Sequence, residues 1–243
     1  MNVELTGKRV LITGGTTGVG AATAALLAGE GCRVFICGRD PKRLAATISS
    51  VQADGGEIGG VATDLATIEG IQKLFSAADE WLGAPDIVVL NAGLGQNGEL
   101  TDLTHEQCRE VINVNLLSYI SCALESINRM RGAGGHIVMI GSMSAEVFDE
   151  KAAVYVASKC GVRGFAYSLR KDVNPIGISV SLIEPGSIGT DMVDETLEQQ
   201  REMQDQMRML SADDIARSIA FVVSQPKRCD VIKMQVRPHL QIV

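Results

Sequence analysis

Short apolar runs, each closed by glycine or a small polar residue, alternate along the chain with longer stretches that are apolar on one face only. Arg9-Val-Leu-Ile-Thr13, Arg33–Cys37, Ile58–Asp64, Asp86–Gly93, His136–Ile140, Ile178–Ile183 and Asp230–Val236 read as strands. Between them, Ala21–Ala28, a stretch starting at Asp40-Pro41, Ile68–Trp81, Glu106–Arg131, a stretch through Tyr155 to about Val173, and Ala212–Ser224 read as helices. This strand-then-helix alternation predicts an α/β fold, a doubly wound parallel sheet of about seven strands with helices on both faces. Such sheets bind ligands at the carboxyl ends of their strands. The pattern breaks between Ser187 and Leu210, where Met192, Met203, Met207 and Met209 lie among Glu, Gln and Asp. One or two short helices are expected there, either a substrate lid or a surface hairpin with methionine as filler.

Composition narrows the picture. At 243 residues the chain suits one domain, and its 26 glycines fit tight strand–helix turns. A net charge of -7 excludes nucleic acid as an expected partner, because phosphate binding needs a basic face. The cysteines (Cys32, Cys37, Cys108, Cys122, Cys160, Cys229) and histidines (His105, His136, His239) lack metal-ligand spacing, so no metal is expected and free thiols in a reducing compartment are. No stretch reads as a signal peptide or membrane span, which points to a cytoplasmic protein.

The candidate chemistry sits where apolar runs end. Thr13-Gly-Gly-Thr-Thr-Gly-Val-Gly20 joins the first strand to a helix, and Gly14, Gly18 and Gly20 permit close approach of a pyrophosphate to free amides. The second strand ends at Gly38-Arg39-Asp40. Where an acid would repel a 2′-phosphate, the Arg39 guanidinium can bind it, which favours NADP(H) over NAD(H). Arg39 as a plain turn residue, with Asp40 starting a helix or taking the acidic ribose role, is the competing reading. Asp64 ends the third strand and could meet an adenine, and Asn91-Ala92-Gly93 lets the chain pass close to a flat ring. Asn113 and Asn115 are amides inside a helical pattern and need partners, whether a ligand or a helix-packing bond. Tyr155 and Lys159 are spaced to share one helix face, and Ser142 follows the fifth apolar run. A phenol beside an ammonium and a hydroxyl suits proton exchange with a carbonyl or alcohol oxygen. By itself the Tyr–Lys spacing is common in helices of no catalytic role.

Together, Thr13-Gly14-x-x-x-Gly18-x-Gly20, Asp64, Asn91-Ala92-Gly93, Asn115, Ser142, Tyr155-x-x-x-Lys159 and Pro185-Gly186 with Thr190 resemble the short-chain dehydrogenase/reductase family, over about residues 5–236. The likeness is to the compact single-domain branch, and the chain is similar to its 3-oxoacyl-carrier-protein-reductase-like carbonyl reductases. The resemblance implies a single Rossmann domain over residues 1–243 with a lid at about 187–210, and hydride transfer between a nicotinamide and a carbonyl/alcohol pair. It implies Tyr155 as acid/base, Ser142 on the substrate oxygen, Lys159 lowering the Tyr155 pKa and holding the ribose, and Asn115 anchoring a water-linked relay. The implied cofactor shell is Gly14, Thr16, Thr17, Gly18, Val19, Gly20, Arg39, Asp64, Leu65, Asn91, Ala92, Gly93, Tyr155, Lys159, Pro185, Gly186, Ile188 and Thr190. Ser142, Leu94, Val147, Phe148 and Met192 are the expected substrate contacts, with Glu146 and Lys151 as further pocket candidates. Homodimers or homotetramers built on the helices carrying Asn115 and Tyr155 are implied. The segment Gln235-Val-Arg-Pro-His-Leu-Gln-Ile-Val243 departs from the glycine-rich ending of many relatives. A nucleotide-binding scaffold without catalysis is the alternative from another class, and sugar-nucleotide chemistry fits poorly for want of a larger substrate domain.

Overall fold

Residues 4–96, 98–190, 193 and 195–241 are described by a computed structural model. Strand β1 (Arg9–Ile12) is flanked by β2 (Arg33–Gly38) and β4 (Ile87–Leu90), with β3 (Glu57–Ala62) outside β2. On the other side follow β5 (Gly135–Ile140), β6 (Ile178–Pro185) and β7 (Lys233–Val236), giving the order β3-β2-β1-β4-β5-β6-β7 with every pair parallel. The doubly wound sheet expected from the alternation is therefore the one formed. Its winding reverses between β1 and β4, the position where such sheets open a crevice.

Side-chain alternation along the strands builds two cores. Val10, Ile12, Val34, Ile36, Val89 and Val138 face α1 (Gly18–Gly29), α2 (Pro41–Ala53) and α9 (Ala212–Val223). Leu11, Phe35, Val88, Leu90, Ile137 and Met139 face α3 (Ile68–Trp81), α5 (Ser118–Met130) and α7 (Ala153–Val173). Both faces of the central strands are dry, which is why they read as unbroken apolar runs.

Two elements differ most from the sequence expectation. The helix expected over Glu106–Arg131 is split into α4 (His105–Ile112) and α5 by a wide turn at Asn113–Leu117, with i→i+5 bonding. Such an inserted residue rotates the side chains that follow, and here Asn115 ends up fully buried. The last strand is shortened to Lys233–Val236. Between Ser187 and Leu210 the described residues form one helix, α8 (Leu197–Asp205), opened by a capping box of Thr196 and Gln199, within the one or two short helices expected there. The ends of that segment are pinned together by Leu210 N to Ser187 O and Gly189 N to Leu210 O, both 2.9 Å. Met209 is buried as packing filler and Met207 is exposed, while Met192 lies outside the described residues.

Candidate active site

The glycine turn after β1 is built by contact between two strand ends. Asn91 Nδ2 donates to Thr13 O at 3.1 Å and Gly14 O at 3.0 Å, and the amides of Asn91 and Ala92 donate to Thr13 Oγ1 at 2.9 and 3.1 Å. A Cβ on Gly14 would stand 2.8 Å from Ala92 Cα, so only glycine lets these turns approach. Helix α1 has no acidic residue in its first turn and no side-chain cap at Thr17, so its leading amides are left for an external anion.

A cavity of about 450 Å³ runs over these strand ends. Gly14, Thr16, Thr17, Gly18, Val19, Arg39, Asp64, Leu65, Asn91, Ala92, Gly93, Tyr155, Lys159, Pro185, Gly186, Ile188 and Thr190 line it, as do Leu94 and Ser142. Of the expected cofactor shell only Gly20 does not; it packs against the Gly14 carbonyl instead. Asp40 and Arg43, not anticipated as a pair there, also line the cavity beside Arg39. Asp40 is the N-cap of α2, accepting from Lys42 N at 2.8 Å, and lies 3.9 Å from Arg43 Nε. Arg39 bonds Glu110 at 2.9 Å in an exposed ion pair. Asp64 accepts from Ala66 N at 3.0 Å and closes its own turn. Free amides at a helix start with two guanidiniums along the wall fit a dinucleotide phosphate.

A second cavity, about 390 Å³, meets the first at Ser142, Tyr155, Pro185, Gly186, Ile188 and Thr190. Ser142 comes from the turn after β5, where Gly141 N donates to Ile183 O and Met143 N to Pro185 O. Its Oγ donates to Ser144 Oγ at 3.0 Å. Tyr155 and Lys159 face inward from α7, as their spacing predicts, and Lys159 is buried between the rings of Tyr119 (5.6 Å) and Tyr155 (5.7 Å). Lys159 Nζ donates to Ile140 O at 2.9 Å. Burial pulls the ammonium down to a pKa of about 8. The expected lowering of the phenol by Lys159 is not what this geometry gives. Burial holds the Tyr155 pKa above its ordinary value, the Ser142 hydrogen bond lowers it, and the Asp149 carboxylate pushes it further up. The physical reason is that a buried phenolate loses more hydration than a hydroxyl contact restores.

Asn115 is an anchor between elements. Its Oδ1 accepts from Leu94 N at 2.7 Å, and its Nδ2 donates to Leu94 O at 2.9 Å and Ser158 Oγ at 3.2 Å. Gln96 was not visible to sequence reasoning at all. Its Nε2 donates to Gly98 O at 3.1 Å and Lys151 O at 3.4 Å, and its Oε1 accepts from Val154 N and Tyr155 N. Helix α7 has no side-chain cap at Ala152, so Gln96 caps it from a distant loop. No local motif announces such a residue.

Of the expected substrate contacts, Ser142 and Val147 line the second cavity, Leu94 lines only the first, and Phe148 lines neither; Phe148 is exposed, with left-handed backbone. Glu146 turns away to Arg163, Lys233 and Gln235, and Lys151 to Glu99, so neither enters the pocket. Asp149, Ser144, Val193 and Gln241 line it instead, none of them anticipated. No group of metal-ligating side chains occurs among the described residues. No helix there is long and apolar enough to cross a membrane.

The chain matches the family model described as short chain dehydrogenase over residues 8–201. It is 35% identical over 198 residues to an oxidoreductase of Sarocladium schorii, covering 81% of this chain and 78% of that one. A short-chain dehydrogenase from Burkholderia cenocepacia, solved in complex with NADP, superposes with a TM-score of 0.86 at 30% identity, covering 97% of this chain and 98% of that one. An actinorhodin polyketide ketoreductase solved with NADPH gives 0.86 at 26% identity and 99% coverage of both chains.

Proposed function

The chain belongs to the short-chain dehydrogenase family and is an oxidoreductase, and from that premise we propose an NADP(H)-dependent carbonyl reductase acting on a carbonyl compound, or on the secondary alcohol in reverse. The observation that carries this reading is the meeting of the two cavities at Ser142 and Tyr155. A dihydronicotinamide, when bound, supplies the hydride for the carbonyl carbon. The Tyr155 hydroxyl delivers its proton to the carbonyl oxygen as the alcohol forms, while Ser142 hydrogen-bonds that oxygen. The raised Tyr155 pKa keeps the phenol protonated at neutral pH, which suits reduction. Lys159 is a cation there and compensates the phenolate left behind, with Ile140 O fixing its position. Asn115 holds Leu94 and the Tyr155 turn of α7 in register through Ser158, whose Oγ donates to Tyr155 O at 2.6 Å.

Arg39 and Arg43 support NADP(H) over NAD(H) by supplying positive charge beside Asp40, and the NADP-bound and NADPH-bound relatives support the same choice. A lid at 187–210 is supported by its position beside Thr190 and by the bonds that bring its two ends together, Leu210 N to Ser187 O and Gly189 N to Leu210 O. Exposed Leu117 in the wide turn with Asn115, Leu124 on α5 and Tyr167 on α7 support a homo-oligomer. The free cysteines fit a cytoplasmic setting.

Parallel fluorescence titrations with NADPH and NADH, followed by ketone-dependent NADPH oxidation by wild type and Tyr155→Phe, test the proposal. Tighter NADPH binding, with turnover in wild type only, is the expected result. Cofactor binding without reduction of any carbonyl compound would favour the non-catalytic scaffold.

A further inference from the structure

Beyond β7 the chain folds back over the carboxyl end of the sheet. Gly186 N donates to Val236 O at 2.7 Å, and Leu240 N donates to Met207 O at 2.9 Å, tying this segment to the far side of the lid. Gln241 then reaches the centre: its Oε1 accepts from Ser187 N at 3.1 Å, and its side chain covers Gly186 so closely that a Cβ there would lie 2.1 Å from Oε1. Gln241 lines the cavity that holds Ser142 and Tyr155. Its oxygen is used, but among the described residues its Nε2 has no acceptor in the protein. A residue lining this cavity thus has an amide nitrogen whose two N–H groups are not committed to the protein.

Charge sets the second constraint. Among the described residues lining this chamber the one carboxylate is Asp149, and no lysine or arginine lines it. A carboxylate substrate would meet like charge without a countercharge, whereas a neutral oxygen acceptor meets a waiting donor. On the basis of the carbonyl-reductase reading, we propose that Gln241 is a specificity-determining residue. It donates to a second, neutral oxygen of the substrate, so the favoured ketones carry an ester, amide or second carbonyl beyond the reacting group.

The test compares three ketones of equal length with NADPH: a keto methyl ester, its hydrocarbon analogue and the corresponding keto acid. Wild type is expected to prefer the keto ester over both others in kcat/KM. Gln241→Glu keeps an oxygen opposite Ser187 N–H and removes the donors. It should lower kcat/KM for the keto ester by about tenfold or more, because a site built to hydrogen-bond a group discriminates strongly. The readout is the ester-to-hydrocarbon ratio of kcat/KM within each protein, and thermal unfolding of the variant reports separately that the fold survives. Gln241→Leu should give the same loss of preference without an added charge. An unchanged ester-to-hydrocarbon ratio in both variants, or a wild-type preference for the keto acid, overturns the assignment. Wild type reducing none of the three would instead sink the carbonyl-reductase reading on which it rests.

Discussion

The side-chain oxygen of Gln96 accepts a hydrogen bond from the backbone N–H of Tyr155 at 3.4 Å, alongside that of Val154 at 3.2 Å. The loop after β4 thereby holds the first turn of the helix that carries Tyr155, the proposed acid/base. Gln96 is buried, and its amide nitrogen is used as well, on Gly98 O and Lys151 O.

Gln96→Leu should therefore misplace Tyr155 and alter the second cavity, which Gln96 lines, more than it disturbs the first, which it does not line. We expect kcat to fall about tenfold or more, with a stability loss of about 1–3 kcal/mol from the orphaned amides and carbonyls. NADPH affinity should be nearly unchanged. Steady-state kinetics beside a cofactor titration separates the two, and a parallel loss of NADPH binding would mean Gln96 supports the whole crevice instead.

Lys159 makes stability depend on pH in a known direction. Its pKa falls from 10.5 when exposed to about 8 in the fold, so between these values the unfolded chain binds more protons. Stability contributed by this site rises with pH through that window and is lowest below about pH 8. At ~1.4 kcal/mol per pH unit the full swing is on the order of 3 kcal/mol. Urea unfolding of wild type and Lys159→Met at pH 7 and near pH 10 isolates it. Wild type should gain on the variant as pH rises, and the variant should be inactive throughout.

The Arg39–Glu110 pair is exposed on both sides, with side-chain exposures of 55% and 48%. Such pairs are worth about 0–1 kcal/mol, so a 2′-phosphate can take the guanidinium from Glu110. Arg39→Leu should weaken NADPH about tenfold to a hundredfold while leaving NADH alone. Glu110→Gln should tighten NADPH severalfold. Isothermal titration of both nucleotides against both variants reads this directly, and equal losses for NADH and NADPH would return Arg39 to the role of a turn residue.

Gly20 is a packing glycine. A Cβ at this position would stand 2.1 Å from Gly14 O and 2.6 Å from Asn91 Nδ2, and the backbone atom cannot give way. Gly20→Ala should cost about 1–3 kcal/mol by overpacking. Gly29→Ala, on the same helix with nothing within 4 Å, should be neutral or stabilising by up to about 1 kcal/mol. Thermal unfolding of the two variants is a direct comparison, and a stable Gly20→Ala that merely binds nucleotide poorly would contradict the packing account.

Much was legible in the chain itself because it is local chemistry. Apolar runs closed by glycine gave the strands and their parallel order of travel, since strands dry on both faces cannot alternate. Tyr155 and Lys159 share a face because helical spacing puts them there, and the glycine turn opens onto α1 because a strand, a turn and a helix start are contiguous. The cavity lining over β1, β2 and β4 follows from where those strands end. What only the tertiary structure decided lies in groups far apart in sequence or in the loss of water around them. Burial, not proximity to Lys159, sets the direction of the Tyr155 pKa, and no spacing rule contains a desolvation energy. The insertion at Asn113–Leu117 that turns Asn115 inward, Gln96 capping α7 and Gln241 on Ser187 are bonds between distant segments. Their partners become neighbours only once the sheet has ordered the loops above it. A backbone amide accepts any oxygen that arrives, so composition and periodicity carry no record of which one does.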